Sequence, residues 1–188
     1  NMNYLQITHE DVCNGNGLRV SLWVSGCSHR CLNCHNPETW DTASGIPFDE
    51  YTKKEIFDDL SQDYIDGITI TGGDPLFEFN LNEVYELIKE IRNLFPNKTI
   101  WLYTGYSWEN IMNYKSCSSD NFDYIEESYV DGLYEIRKEI ISLCDIVVDG
   151  EYIDEKRDLT LEWRGSSNQR VIDVKQSLAQ NKIVLYCD

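Results

Sequence analysis

The sequence is poor in basic residues. Lysine and arginine together number 16 of 188 residues against 33 aspartates and glutamates, so the formal net charge is −17. Nucleic-acid phosphates are bound by clustered basic side chains, and this balance therefore argues against a nucleic-acid partner. Arg19, Arg164 and Arg170 are the candidates for meeting an anionic ligand, and a plain surface role is the alternative for each.

Long apolar runs and a secretory signal are also missing from the sequence. No stretch approaches the ~20 apolar residues that span a bilayer, so we expect no membrane partner and a cytoplasmic location. Asn1 stands before Met2 and is expected to be an addition to the natural chain. The chain fits a single domain over residues 1–188. It is too short for a complete eight-fold barrel, which needs ~250 residues.

The cysteines are distributed unevenly, because three of the seven lie in one short loop. Cys27, Cys31 and Cys34 have the spacing CxxxCxxC. Structural zinc sites and ordinary iron–sulfur clusters take four protein ligands, so three close thiols predict a metal centre with one open position. An open position is where a substrate can bind.

The same residues allow two alternatives to an open metal centre. A zinc site completed by Cys13, His29 or His35 is chemically acceptable, because zinc takes mixed cysteine and histidine ligands. A disulfide framework is disfavoured, since the cysteine count is odd and no secretory signal is visible. The cysteines without ligand spacing are expected to be ordinary thiols: Cys13, Cys117, Cys144 and Cys187.

A second motif follows further along the chain. Residues 67–76 have the pattern of a buried strand that opens into the loop Gly72-Gly73-Asp74-Pro75. The glycines let the backbone approach a ligand closely, and the carboxylate of Asp74 can accept an ammonium group. On its own, this loop would be an ordinary turn.

Hydrophobic patterns predict alternating strands and helices. Strands are predicted at 18–25, 68–71, 99–103, 145–148 and 182–186. Helices are predicted from a capping box that begins at Thr52, from Asn80 or Asn82 to Pro96, and around 133–141. Residues 115–132 are predicted to be a solvated loop, with a partner-docking element as the alternative.

This alternation predicts parallel β/α units joined by right-handed crossovers. Ligand sites in such folds form at the carboxyl ends of the strands. The cysteine loop, the Gly-Gly-Asp loop, Thr104-Gly105-Tyr106 and Asp149-Gly150 all follow predicted strands. We therefore expect these four loops to meet at one edge of the sheet.

Together, the cysteine loop and the Gly-Gly-Asp loop resemble the radical S-adenosylmethionine (SAM) superfamily. Other segments resemble its glycyl-radical-enzyme activases, in particular the activating proteins of anaerobic ribonucleoside-triphosphate reductases. These segments are 14–19, 34–40, 101–106 and 163–171. The likeness covers most of residues 4–112 and 144–172, whereas residues 115–142 form a connection longer than is typical of the family, or an insertion.

The resemblance implies an α/β fold, a partial (β/α) barrel of the radical SAM type with mostly parallel strands and outer helices. It implies a 4Fe-4S cluster, held by Cys27, Cys31 and Cys34. The Gly-Gly-Asp loop formed by Gly72, Gly73 and Asp74 would bind the amino end of SAM.

The remaining SAM contacts are also implied by the resemblance. Asn33, Cys34 and His35 are expected near the adenine, although superfamily members often carry an aromatic residue at position 33 and activases commonly have tyrosine at position 35. Thr104 and the Asp149-Gly150 turn are candidates for ribose or carboxylate contacts, with an ordinary strand-end turn as the alternative. Asn168 and Gln169 are expected to line the same opening.

The implied activity is that of an oxidoreductase. A reduced cluster passes one electron to SAM, and the resulting 5′-deoxyadenosyl radical removes a hydrogen atom from a glycine of the partner. That partner is the large subunit of anaerobic ribonucleoside-triphosphate reductase, and the electron donor is a protein such as flavodoxin or ferredoxin. No further catalytic side chain is expected, because hydrogen-atom abstraction needs no general base. The alternatives are an activase of the pyruvate formate-lyase type and a non-catalytic zinc-binding module.

Overall fold

A computed structural model describes residues 1–116 and 124–188, and for residues 124 and 125 it describes the backbone alone. The strands are β1 (Asn3–Asp11), β2 (Arg19–Val24), β3 (Ile46–Pro47), β4 (Gly67–Gly72), β5 (Thr99–Tyr103), β6 (Ile146–Asp149), β7 (Arg170–Asp173) and β8 (Leu185–Cys187). The helices are α1 (Glu50–Leu60), α2 (Leu81–Leu94), α3 (Trp108–Met112), α4 (Tyr124–Leu143) and α5 (Val174–Gln180).

The eight strands of residues 1–116 and 124–188 form one mixed sheet in the order β3-β1-β2-β4-β5-β6-β7-β8. The central strands β2, β4, β5 and β6 are parallel, as the β/α alternation predicts. The outer pairings, β1 with β2 and β3, and β7 with β6 and β8, are antiparallel. Within the described residues β3 and β8 do not pair with each other, so the sheet is open. The expectation of mostly parallel strands therefore holds only for the centre of the sheet.

The helices cover one face of this sheet. On this face, strand residues such as Leu22, Ile70 and Leu102 are fully buried. They belong to the same core as helix residues such as Leu87 and Ile141. Burial of these apolar side chains is the main stabilising contribution in such a core. The opposite face carries a separate cluster, formed by Trp101, Ile146, Val148 and Val171.

Arg19 lies on that opposite face and is completely buried. Its guanidinium donates to Thr69 Oγ1 (2.9 Å), to the Ile68 carbonyl (2.8 Å) and to both Thr99 oxygens (2.8 Å each). Burial lowers the pKa of Arg19 to about 10. The side chain thus joins the amino-terminal ends of three strands, and neither of the roles considered from the sequence, surface or ligand binding, describes it.

One predicted helix start and one predicted side-chain cap need correction. Helix α1 begins before Thr52, because the Asp49 side chain caps it by accepting from the Thr52 N–H (3.0 Å). Asn80 is at the start of α2 but its side chain makes no capping bond. Instead, Asn80 Nδ2 donates to the carbonyls of Ser25 (2.8 Å) and Asp74 (3.0 Å). A capping pattern depends on neighbouring residues alone and cannot predict that the Asn80 amide instead forms these tertiary hydrogen bonds.

The predicted loop at 115–132 is wrong for its second half, because α4 begins at Tyr124. Tertiary packing stabilises this helix: Arg137 is buried, donates from Nε to the Leu76 carbonyl (2.9 Å) and lies over the rings of Tyr106 and Tyr134. Cys117 and the two serines after it lie outside the described residues. None of the helices within 1–116 and 124–188 combines the length and the apolar character of a membrane span.

Candidate functional site

Four loops leave the carboxyl ends of the parallel strands at one edge of the sheet. The cysteine loop follows β2, the Gly-Gly-Asp loop follows β4, Thr104-Gly105 follows β5 and Gly150-Glu151 follows β6. This confirms the predicted convergence of the motifs. Because the strands are parallel neighbours, residues far apart in sequence come within hydrogen-bonding distance here.

Backbone hydrogen bonds join the Gly-Gly-Asp loop to the end of β2 and the start of the cysteine loop. Gly73 N–H donates to the Val24 carbonyl and Asp74 N–H to the Gly26 carbonyl, each at 2.8 Å. A Cβ on Gly73 would lie 2.5 Å from the Gly26 carbonyl oxygen, and Gly72 has a φ of +103°. Both positions therefore need glycine, Gly73 for close approach and Gly72 for its backbone conformation.

The carboxylate of Asp74 is almost completely buried, with 1% of the residue exposed. Its Oδ1 accepts from the N–H of Leu76 (2.9 Å) and from Thr104 Oγ1 (2.9 Å). Its Oδ2 accepts from Gly105 N–H (2.9 Å), and lies 3.1 Å from Thr104 Oγ1 and 2.7 Å from Nε2 of His29. Thr104, a candidate SAM contact, thus orients this carboxylate directly.

His29 lies inside the cysteine loop and bridges two acids. Its Nε2 contacts Asp74 and its Nδ1 lies 2.7 Å from Oε1 of Glu151. Burial alone would lower the pKa of His29, but the hydrogen bonds and charges of Asp74 and Glu151 raise it above its ordinary value. The motif alone gave no sign of the contact with Asp74; the sequence suggested His29 only as a zinc ligand.

The three cysteines are partly exposed on this loop. The loop turns through left-handed residues, Arg30 with φ 50° and Asn33 with φ 55°. Cys34 N–H donates to the Cys31 carbonyl (3.2 Å), and Cys34 Sγ accepts from Asn36 N–H (3.4 Å).

Burial raises the pKa of the Cys27 thiol to about 11 and also raises that of Cys31. Metal ligation requires the thiolate form, so binding would release protons from these groups. In the part of the chain that the structure describes, no three histidine, cysteine, aspartate or glutamate side chains lie close enough together to hold a single metal ion. A cavity of about 720 Å³ opens beside Cys27 and is lined by Arg30, Trp40, Phe77 and Phe79 among others.

The remaining candidate SAM residues of the cysteine loop rest on the segment after β6. The exposed Asn33 donates from Nδ2 to Asp154 Oδ2 (2.9 Å). The ring of His35 packs on Tyr152, with centroids 4.8 Å apart. A Cβ on Gly165 would lie 3.3 Å from His35, so the 163–169 segment also touches this loop. The sequence did not indicate Tyr152 or Asp154, because their partners lie more than a hundred residues away.

Other candidate residues have structural partners. Asp149 accepts from Trp108 N–H (2.8 Å) and forms an ion pair with Arg170 at 2.6 Å. Asn168 donates to the Glu151 carbonyl (2.8 Å) and Gln169 to the Gly150 carbonyl (3.0 Å), so both hold the loop that contacts His29.

Arg164 Nη1 donates to the Glu162 carbonyl (3.2 Å) and lies 3.6 Å from Sγ of Cys187. It therefore faces the β8 side of the sheet. The ligand role considered for Arg164 stays a prediction.

Comparison with known proteins shows the family to which this chain is similar. Residues 13–172 match a family described as a 4Fe-4S single cluster domain. Three relatives are named anaerobic ribonucleoside-triphosphate reductase-activating protein. The one from Enterobacteria phage T4 is 39% identical over 90% of this chain and 93% of its own. Those from Escherichia coli K12 and Pasteurella multocida are each 36% identical, over 90% and 89% of this chain and 97% and 95% of their own.

Identity of this extent over nearly the whole length of each relative is decisive for family membership. The chain belongs to the family of anaerobic ribonucleoside-triphosphate reductase-activating proteins, within the 4Fe-4S single cluster domains.

Proposed function

We propose that this chain is the activating enzyme of an anaerobic ribonucleoside-triphosphate reductase and generates a glycyl radical on that partner. The observation that carries the proposal is the hydrogen bonding of the Gly-Gly-Asp loop to the end of β2 and the start of the cysteine loop, from Gly73 N–H to the Val24 carbonyl and from Asp74 N–H to the Gly26 carbonyl. In this proposal, the loop that holds the metal centre and the carboxylate that accepts the amine lie side by side. The named relatives support the choice of reductase as partner.

In this proposal Cys27, Cys31 and Cys34 hold a 4Fe-4S cluster. The donor set fits, because soft thiolates suit iron and each cysteine of such a cluster binds a different iron. The thiols therefore need not converge on one point. When bound, the cluster would supply one electron for the cleavage of SAM to methionine and a 5′-deoxyadenosyl radical, which would take a hydrogen atom from a glycine of the reductase to become 5′-deoxyadenosine.

The same proposal assigns the SAM contacts to this chain's loops. Gly72 and Gly73 let the backbone approach the methionyl end, and Asp74, oriented by Thr104, accepts the amino group. Asn33, Cys34 and His35 are proposed to lie along the adenine. The loop carrying them is steadied by Asp154 and Tyr152.

We further propose that residues 1–188 form one radical SAM domain and that the open sheet is the partial barrel of that superfamily. Support comes from the four parallel central strands, whose helices lie on one face. A flavodoxin or ferredoxin as electron donor and a cytoplasmic location complete the proposal. All six cysteines among the described residues are free thiols, as is usual in a reducing compartment.

Anaerobic reconstitution with iron and sulfide tests the proposal. We expect about four irons per wild-type chain. After reduction with SAM, we expect 5′-deoxyadenosine by chromatography and a glycyl radical signal by electron paramagnetic resonance once the reductase is added. Cys31→Ala should lose the bound iron, the 5′-deoxyadenosine and the glycyl radical signal, because the loop then lacks one cluster ligand.

Cys13→Ala is the matched control, since Cys13 is an exposed thiol outside the CxxxCxxC spacing. It should keep the iron content and the 5′-deoxyadenosine yield. One zinc per chain, lost in both variants and without SAM cleavage, would contradict the proposal and indicate a zinc site that uses Cys13.

A further inference from the structure

Among the residues that the structure describes, the carboxylate of Asp74 has one hydrogen-bonding partner other than the backbone and Thr104. That partner is His29, whose Nε2 lies 2.7 Å from Oδ2. The Gly105 N–H and the Thr104 hydroxyl occupy other directions around the same oxygen, at 2.9 Å and 3.1 Å. A carboxylate oxygen has few lone-pair directions, so His29 takes the remaining strong hydrogen-bonding position.

His29 is held in this position from several sides. Its Nδ1 contacts Glu151 at 2.7 Å, and its ring meets the edge of Tyr106 with centroids 4.8 Å apart. A Cβ on Gly105 would lie 2.5 Å from the ring, so Gly105 leaves room for the imidazole. The side chain is only 10% exposed. The contact is therefore a packed, multi-residue arrangement.

The proposed function requires the same carboxylate for the ammonium group of SAM. An imidazole N–H and an ammonium group are both charge-assisted donors that seek a carboxylate oxygen at similar distance. With 1% of Asp74 exposed, the carboxylate has no second open side to offer. The two donors therefore exclude each other at Oδ2.

We propose that His29 is a latch that closes the amino-group site of SAM and must leave Asp74 before SAM binds. His29 lies between Cys27 and Cys31 in the chain, so a change in the path of the cysteine loop moves the latch. Ligation of the loop cysteines and opening of the Asp74 site are thereby coupled. The cluster therefore assembles first, and SAM binds afterwards. This inference rests on the proposed SAM-binding role of Asp74.

Binding of radiolabelled SAM to the full-length, cluster-free chain tests the latch by equilibrium dialysis. The latch lowers the fraction of chains competent to bind, and apparent affinity falls with that fraction. His29→Ala should therefore bind SAM at least about fivefold more tightly than wild type. Glu151→Ala, which removes only the second support of the ring, should give a smaller increase.

His9→Ala is a matched control, because His9 also contacts two carboxylates, Asp59 at 2.6 Å and Glu55 at 3.0 Å, away from this site. It should leave SAM affinity unchanged. As a ligand control, 5′-methylthioadenosine has the adenosine part of SAM but lacks the methionyl amino and carboxylate groups. Its affinity should be the same for wild type and His29→Ala. Circular dichroism will verify that each variant is folded.

Equal or weaker SAM binding by folded His29→Ala, or no measurable binding by either chain, would overturn the latch. A gain of the same size for 5′-methylthioadenosine would also overturn it, since the effect would not involve the amino group. The proposed function is judged separately, by SAM cleavage in the reconstituted wild-type chain. If wild type cleaves SAM and His29→Ala gains nothing, the latch alone is wrong.

Discussion

Gly73 is the residue on which the contact between the two site loops depends. Its φ lies outside the left-handed region, so the need for glycine comes from the 2.5 Å that would separate an added Cβ from the Gly26 carbonyl oxygen. Backbone atoms cannot rotate away as a side chain can. The requirement is therefore a close approach of two backbone segments and could not be inferred from local conformation.

Gly73→Ala should lower the free energy of unfolding by about 1–3 kcal/mol, the usual cost of overpacking, and should weaken SAM binding. Urea unfolding and equilibrium dialysis measure the two effects. Gly132→Ala is the control, because a Cβ there meets nothing within 4 Å and the residue lies within α4. That change should stabilise the chain by roughly 0.5–1 kcal/mol. Similar results for the two variants would refute the close-approach argument.

At the scale of elements, Asp145 joins four parts of the fold. Its carboxylate contacts Arg92 of α2 at 2.6 Å, Lys175 of α5 at 3.1 Å and the Ile100 N–H of β5 at 2.8 Å, next to β6. Burial alone would raise the pKa of Asp145, but the Ile100 N–H and Arg92 lower it below its ordinary value.

Asp145→Asn should cost about 1–3 kcal/mol of unfolding free energy at pH 7, because the Ile100 N–H and the partly buried Arg92 lose their charged acceptor. A lowered folded pKa means that the stabilisation is complete above the ordinary pKa of about 4 and is lost as pH falls through the folded value. The gap between wild type and variant should therefore be constant from about pH 7 to 5 and close below about pH 4.

Urea titrations across this range measure the gap. Asp58→Asn is the control, since Asp58 forms an ion pair with Lys54 on the surface, with 65% of its side chain exposed. It should produce no comparable loss at any pH. A gap that persists unchanged under acid would show that the Asp145 charge is not responsible.

At the scale of the whole molecule, the net charge of −17 destabilises the compact state through repulsion between acidic side chains. Sodium chloride shortens the screening length from about 30 Å at 10 mM to about 8 Å at 150 mM. Over that range the free energy of unfolding should rise and then level off.

Urea unfolding at several salt concentrations measures this effect. The shape of the curve of unfolding free energy against salt concentration serves as the control. Charge screening saturates near physiological salt, whereas stabilisation by salting-out keeps increasing with salt. A flat or steadily linear dependence would argue against charge repulsion as the cause.

Much of the fold was predictable where pattern and structure are both local. β5 occupies 99–103 as predicted, and β2 and β4 differ from their predicted bounds by one residue at each end. Alternating or continuous apolar side chains report burial directly. The short strand β7 and helix α5 were missed, because four or seven residues carry too little periodicity to identify an element.

The sequence by itself determined the chemistry: three cysteines at a fixed spacing, two glycines and an acid after a buried strand, and loops that each follow a predicted strand. These depend on residue type and neighbouring positions. Only the tertiary structure decided that Arg19 is buried and joins three strands, that Asn80 donates hydrogen bonds to the site loops and that His29 contacts Asp74. Each of these contacts joins residues distant in sequence, and a polar side chain takes such a partner only after packing has brought it within reach.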